Sequence, residues 1–478
     1  MKALGGGTLA ALLALAAFWP ALNTGFMIDD PFLLRGAQQV PGFTVQGLVA
    51  DFTDNVHKEE GLFYYRPLLA ALTRAEYALW GTDPRGYHAV SLAFHAGNSA
   101  LVHGLFAALG FPAPVPLLTA CLFAANPLIV DDLMAGTGGE SMANFLLLSF
   151  LLLYLRGKRA AALLLFVPAV FAKESNILAP AAALLCLWYR GAGREQYRPL
   201  LWTLPVCALF LLLRSLYADP PPGASPLSLA AFSVKQLPAL VFRYLRLVFL
   251  PEGLETWPRL PAAPAWWPLW LLALAGLVRG LFLAPLPARL TAFCLGWFAL
   301  MLAPRVPAMP ATGVVMDKWA FMGAAGLYAW LLSAAGEAVR RAGPRLRLLP
   351  WVLACGLCAY WGYTARAELA LRGSDEKNYR WTVRDGARSF ASYRLAIILM
   401  QSGRAEEALR FISALPEETL RRPDYRNALA MALWHSGRRE EGWTMMKELA
   451  AASPGNPAIA ANAARMALEM RPKKQAAR

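Results

Sequence analysis

Between residues 3 and 365 the chain keeps returning to apolar runs that are long enough, or nearly so, to cross a bilayer. A helix crossing about 30 Å of hydrocarbon needs about 20 mostly apolar residues, and fewer where neighbouring protein shields its ends. Lipid offers no partner to an open backbone, so runs of this kind must be helices packed on helices. Eleven can be read, at 3–22, 88–109, 114–131, 141–155, 160–172, 176–190, 199–217, 265–284, 288–303, 319–336 and 348–365. Composition agrees: 57% of residues are hydrophobic and 16% charged, with mean hydropathy +0.40, whereas a soluble domain carries about a quarter charged residues. The expected fold is therefore all-α, a polytopic membrane protein with about eleven transmembrane helices. The first run lacks a small-residue cleavage site and reads as a retained span.

Cytoplasmic loops of membrane proteins are enriched in Lys and Arg. With the N-terminus inside, "RGKR" (156–159), "YRGAGREQYR" (189–198) and "RRAGPRLR" (340–347) all fall on that side. The opposite side then collects nearly every unusual acid, in outer loops 23–87 and 218–264 and in the shorter turns. In a bacterium this places the protein in the inner membrane with that face, and the C-terminal tail, in the periplasm. The net charge of +15 is spread between apolar runs rather than gathered on one face, which argues against nucleic acid. The six cysteines lie inside apolar runs and behave as small hydrophobes. The segment 235–250, with basic residues interleaved among apolar ones, is expected to lie in the membrane interface.

After about residue 366 the texture changes. "LAIILMQSGRAEEALRFI" (395–412) and "LAMALWHSGRREEGWTMM" (429–446) superpose at an offset of 34 residues, pairing Ser402-Gly403-Arg404 with Ser436-Gly437-Arg438 and Ala408 with Gly442. That period, with a small-residue turn between two helices, is the tetratricopeptide pattern. The expected organisation is a membrane domain at 1–366, a linker at 367–387, tetratricopeptide-like repeats at 388–470 and a basic tail at 471–478. Such repeats present a concave surface to peptides or partner proteins.

Chemistry concentrates on the outer side. Asp29 and Asp30 in "GFMIDDPFLL" follow the first span between apolar flanks, and two carboxylates so placed can divide the work of orienting and deprotonating a hydroxyl. "NPLIVDD" ends the third span in Asp131 and Asp132, and "GTGGES" opens the fourth with Glu140. "FAKESN" places Lys173 and Glu174 between two short spans, and "MDKWAF" places Asp317 and Lys318 at the start of another. Lysines at helix starts suit a phosphate. His88 sits at the cleft edge as a polar group. The five histidines show no metal-binding spacing, and no phosphate loop, dinucleotide fingerprint or nucleophile elbow is present. Together these segments describe a cleft with bases on one wall and phosphate-binding cations on the other.

The same residues resemble the multispanning O-mannosyltransferases with tetratricopeptide tails and their bacterial relatives, in the GT-C superfamily of polyprenyl-phosphate-sugar-dependent glycosyltransferases. "GFMIDD" looks like that family's aromatic-x-x-Asp-Asp opening of the first outer loop. "YYRPLLAALTRAEYALWGTDPRGYHAVSLAFHAGNSALV" (64–102) is similar to its Tyr-Arg-Pro-Leu helix, Leu-Trp-Gly turn and following histidine-bearing span. "FAANPLIVDDLMAGTGGESMAN" (123–144) is similar to its Leu-His-Pro-x-x-x-Glu segment and Gly-Arg turn, with Asn126 in place of His, Asp131 in place of Glu and Gly139 or its neighbour in place of Arg. "AKES" (172–175) matches its Lys-Glu motif, and "MDKWAFMGAAGLY" (316–328) its acid-basic-aromatic segment.

The resemblance implies that Asp30 or Asp29 is the catalytic base and Asp131 a second acid. It also implies that Arg66, Lys173 and Lys318 hold the donor phosphate, and that Tyr65, His88, Glu140, Glu174 and Asp317 shape the site. A sugar would pass from a polyprenyl-phosphate carrier in the membrane lipid to a hydroxyl of a protein or envelope glycan. The lysines would stabilise the leaving phosphate, so no cofactor is needed, although the reading leaves room for a divalent metal. A lipid-linked glycan transporter and an inactive scaffold acting through the repeats are the alternatives. No motif encodes the sugar.

Overall fold

The computed structural model describes residues 2–27, 30–40, 42–53, 64–218, 235–256, 258, 267–283, 286–305, 315–342, 348–384 and 389–470. Every regular element among them is helical. The chain folds as two compact units, Met1–Gly373 and Ser374–Arg478.

In the first unit, a helix or helical break occupies each of the eleven predicted positions. Their lengths differ from expectation. Among the described residues three helices are long and apolar enough to cross a membrane, Gly5–Asn23, Arg194–Tyr217 and Asp317–Arg341, and a fourth span results if Val115–Ala125 and Pro127–Met134 count as one. By length and composition the described residues therefore hold three or four candidate spans, not the eleven expected. Gly139–Leu155 and Arg159–Ala172 are apolar but have only 17 and 14 residues, about 26 and 21 Å at 1.5 Å per residue. Pro84–Ala108 has 25 residues but buries His88, Ser91, His95, Asn98, Ser99 and His103, too polar a content for a span on composition alone.

Helix ends are set by local chemistry. Pro67, Pro84, Pro116 and Pro127 each stand in the first turn of a helix, where a missing N–H costs nothing. At the 45° bend between Val115–Ala125 and Pro127–Met134, the Asn126 side chain accepts from Leu128 N at 2.9 Å and so satisfies one of the donors freed by the break.

The bundle is organised around Pro84–Ala108, which packs on Lys2–Phe18, Val115–Ala125 and Gly139–Leu155, while Leu349–Arg372 closes over Val115–Ala125. Ala288–Leu302 and Phe321–Ala342 approach closely because the second carries glycines at the crossing. A Cβ on Gly326 would lie 2.7 Å from the Cys294 carbonyl oxygen, so only glycine fits, as at small-residue helix crossings in membranes. The predicted interfacial segment contains the helix Leu237–Phe249, with Leu240, Tyr244, Leu247 and Val248 buried in the main core. Three short helices, Asp30–Gln39, Val45–Thr53 and Pro67–Trp80, connect the first and second long helices. Arg74 ties them together: it meets Asp51 at 2.6 and 2.8 Å and donates to the carbonyls of Gly36 and Val40.

The second unit begins at Ser374, later than the expected boundary at 366. Leu349–Arg372 runs on as one helix, and Asp375–Val383, expected to be linker, is a helix packed on Ser389–Gln401. Ser374 caps it by accepting from Lys377 N. Two helical hairpins follow, Ser389–Gln401 with Ala405–Ser413 and Pro423–His435 with Arg439–Ala452, and then Pro457–Met470. The helices of the second hairpin start at 423 and 439, each 34 residues after its counterpart at 389 and 405. Gly403 (φ +73°) and Gly437 (φ +91°) turn the two hairpins, a left-handed conformation that glycine adopts without penalty. Gly442, the counterpart of fully buried Ala408, has no room for a Cβ, which would meet the Ala430 carbonyl oxygen at 2.7 Å. The tail at 471–478 lies outside the described residues.

Candidate functional site

Five chain segments end at one polar pocket of about 70 Å³. Tyr64 and Arg66 precede the helix Pro67–Trp80, and Glu140 stands in the first turn of Gly139–Leu155. Lys173, Glu174 and Ser175 fill the break between Arg159–Ala172 and Ala179–Arg190. Pro304 and Arg305 follow Ala288–Leu302, and Met316, Lys318 and Trp319 precede Phe321–Ala342. The pocket exists because these helices stop short: their polar ends meet inside the bundle.

Its charges are matched, with cations left over. Arg66 grips Glu174 with two donors, Nε at 2.8 Å and Nη2 at 2.6 Å, and stacks on the Tyr64 ring at 4.2 Å. Glu140 takes Lys173 on one oxygen and Arg305, at 2.8 Å, on the other. Lys318 makes no hydrogen bond or ion pair with a described residue and acts on Glu140 through space. Four cations (Arg66, Lys173, Arg305, Lys318) face two carboxylates (Glu140, Glu174), a formal excess of +2. Burial opposes the charge on Glu140, but Arg305, Lys173 and Lys318 outweigh it and hold its carboxyl well below the usual range. Burial likewise opposes Glu174, which Arg66 brings down to about 2. Lys173 is pulled down to about 8 by burial, against the attraction of Glu140.

The acids expected to act as bases occupy different surroundings. Asp30 opens the helix Asp30–Gln39 and is fully buried. One oxygen accepts from Met27 N (2.9 Å) and Gly136 N (2.8 Å), the other from Thr137 N (3.0 Å) and Thr137 Oγ1 (2.8 Å). The carboxylate thus staples the end of the first long helix to the turn at 135–138. Burial pushes Asp30 up to about 6 against the pull of those donors. Asp29 lies outside the described residues. Asp131 is bonded to Arg372 at 2.7 Å, and Arg372 also holds Glu368 at 2.7 Å. Asp132 caps Gly139–Leu155, accepting from Glu140 N, Ser141 N and Ser141 Oγ. Asp317 is gripped by Arg243 through two 2.9 Å bonds and accepts from Glu255 N. Asp131 and Asp317 therefore hold segments together and do not line the pocket.

Of the other predicted residues, Tyr65 points into an aromatic cluster with Phe171, Phe210 and Tyr217 and donates to the Phe52 carbonyl at 2.9 Å. His88 bridges Thr24 Oγ1 and the Leu133 carbonyl, each at 3.1 Å. Neither lines the pocket. Asn126 joins three segments, donating to Tyr328 Oη (2.5 Å) and the Val248 carbonyl while capping Leu128.

Sequence reasoning gave no part to Arg305 in phosphate binding, or to Arg243, Arg372 and Glu76 at all. Arg305 carried a signal, a cation directly after an apolar run and a proline. Glu76 shares a helical face with Leu69 and Thr73, at the spacing of a buried stripe. It is 2% exposed, and its Oε2 has no hydrogen-bond partner among the described residues. Burial first, and the charge of Asp30 second, raise it to about 9. Among the described residues, no group of three or more His, Cys, Asp or Glu could hold a metal ion. No protein-family model, curated protein or solved structure matches the chain.

Proposed function

We propose that the chain is a membrane glycosyltransferase that moves a sugar from a polyprenyl-phosphate donor to a hydroxyl of a protein or envelope glycan. The observation that carries this reading is the buried pocket with an excess of +2, into which Lys318 brings an unpaired ammonium group among the described residues. In the reaction, the acceptor oxygen attacks the anomeric carbon, the bond from that carbon to the phosphate oxygen breaks, and polyprenyl phosphate leaves. The donor phosphodiester carries one negative charge and the departing monoester up to two, so fixed cations favour the products of bond cleavage over the donor. Asp30 already accepts four hydrogen bonds, so the acceptor proton is assigned to Asp29, its neighbour in sequence.

The reading places the pocket and a tetratricopeptide-like tail on the periplasmic side of a bacterial inner membrane, on the strength of the loop charges and the 34-residue offset. The test is purified full-length protein supplied with polyprenyl-phosphate sugars, with release of sugar-free carrier as the signal. Release should fall at least about a hundredfold in Asp29→Asn, the size of a general-base contribution, and strongly in Lys318→Gln. Absence of release with every donor tried overturns the enzyme reading. An inactive scaffold is favoured by one observation, the commitment of Asp30 and Asp131 to structural bonds. A lipid-linked glycan transporter is favoured by another, the 45° break at Asn126.

A further inference from the structure

The end of the bundle away from the polar pocket is also hollow. Ala179–Arg190 and Phe321–Ala342 start beside that pocket, and Ala288–Leu302 ends there. Ala288–Leu302 and Phe321–Ala342 have 15 and 22 residues, about 22 and 33 Å at 1.5 Å per residue, on the scale of a hydrocarbon core. The opposite ends of all three border two adjoining cavities, of about 540 and 430 Å³, which share Pro287 and Leu290. The larger is walled by Val115, Leu118, Leu290, Leu332 and Trp351. Its polar lining is Ser333, Glu337 and Arg340, and Ser333 gives its hydroxyl to the Ala329 carbonyl at 2.7 Å. Arg190 and Arg289 line the smaller.

Two observations point to an occupant. The first is charge: among the described residues, three arginines and one acid line the cavities, a formal excess of +2. Arg340 bonds to Glu337, which also takes Arg341 at 2.8 Å. Arg190 and Arg289 donate instead to the backbone carbonyls of Leu155 and Trp188. The second is room. Gly336 lines the larger cavity from the interior of a helix, where glycine is less stable than alanine. On the same helix Gly323 and Gly326 are required by Phe298 and Cys294, which a Cβ would crowd at 2.9 and 2.7 Å. A Cβ on Gly336 would meet no described atom within 4 Å, so no protein neighbour explains the space it leaves.

We propose that these cavities hold an anionic glycerophospholipid of the leaflet opposite the polar pocket. Its phosphate sits beside Arg289 at the wall the cavities share, flanked by Arg190 and Arg340, and an acyl chain lies along Gly336 between Leu118 and Leu332. The apolar wall by itself accepts any acyl chain; the surplus of positive charge selects an anionic headgroup, as basic pockets between helix ends do. The lipid joins the ends of Val115–Ala125, Ala288–Leu302, Phe321–Ala342 and Leu349–Arg372 and so stabilises the bundle. The site uses none of the polar pocket's residues and stands apart from the sugar-donor reading.

The test uses full-length protein in detergent with added phosphatidylglycerol, phosphatidylcholine or glycerol phosphate. It reads bound lipid by native mass spectrometry and the melting temperature beside it. The parent should bind phosphatidylglycerol at least about tenfold more tightly than phosphatidylcholine, about 1.4 kcal/mol, should melt higher with it, and should not respond to glycerol phosphate. Arg289→Gln combined with Arg340→Gln should remove the preference between the two lipids. Gly336→Phe places a ring in the larger cavity; it should weaken both lipids about tenfold, abolish the rise in melting temperature, and leave the lipid-free protein melting no lower than the parent. If the double arginine variant does not fold, Gly336→Phe and the parent's own preference carry the test. Equal binding of the two lipids by the parent overturns the proposal. So does a preference that survives in the double variant, phosphatidylglycerol binding unchanged by Gly336→Phe, or a response to glycerol phosphate equal to that to the lipid.

Discussion

Replacing Asp30 with Asn tests whether this carboxylate is a structural staple. Its four donors are all buried, two on each oxygen. The amide keeps one acceptor oxygen, best left facing Met27 N and Gly136 N. Its NH2 then faces Thr137, whose hydroxyl can rotate to accept, but Thr137 N–H is left facing another donor. One buried N–H without a partner costs about 1–3 kcal/mol, and loss of charge assistance in the two retained bonds adds about 1 kcal/mol. The expected destabilisation is about 2–4 kcal/mol, or a melting temperature lower by about 4–8 °C at about 2 °C per kcal/mol for a large unit. The assay is thermal unfolding of the purified protein in detergent, with Thr137→Val beside it as a smaller perturbation. Asp30→Asn melting within about 1 °C of the parent while losing all sugar release would refute the staple and return Asp30 to the chemistry.

Three further outcomes follow from buried charge. Glu76 keeps its proton in the folded protein up to about 9, against an ordinary value of 4.5. The folded state therefore binds more protons between those values, and stability falls as pH rises across that window; Glu76→Gln should flatten the decline and melt higher than the parent at pH 9, and an unchanged pH slope would refute this. Arg372→Met strands Asp131 and Glu368, and should cost about 3–5 kcal/mol; Asp131→Asn, which leaves Arg372 on Glu368 and Thr256, should cost less in the same melts. Lys173 loses its charge near pH 8, so phosphate binding should weaken as pH rises through that value, and Lys173→Arg should remove the dependence; binding that is flat from pH 7 to 9 in the parent would refute it.

Helix positions were legible in the sequence because hydropathy is local: each of the eleven apolar runs contains a helix among its described residues. Their function as spans was not, because a helix ends where its terminal groups find partners. Asp132 fixes the start of Gly139–Leu155 from seven residues upstream (132 to 139). Lys173 ends the helix before it by adopting an extended backbone, φ −159° and ψ 134°. A run counted from hydropathy alone extends through such breaks, or treats the short pieces as whole crossings.

The site divides along the same line. Arg66, Glu140, Lys173, Glu174 and Lys318 could be selected as charges at helix ends, and the fold brings all five to one pocket. Their partners could not be selected, since pairing is a property of the packed bundle: Arg305 reaches Glu140 across 165 positions and Arg372 reaches Asp131 across 241. That difference decides which charges remain for chemistry. A charge buried beside an opposite one is held in place and is strongly destabilising to uncouple, so Asp131, Asp317 and Arg66 are committed by their partners, and Asp30 by its four donors. Lys318 is left by this subtraction without a described partner, and Arg305 with a buried donor to offer, on one wall of a single pocket. Charged residues near helix ends are common in such a chain; those whose bonds remain incomplete after folding are few, and it is these that a ligand can complete.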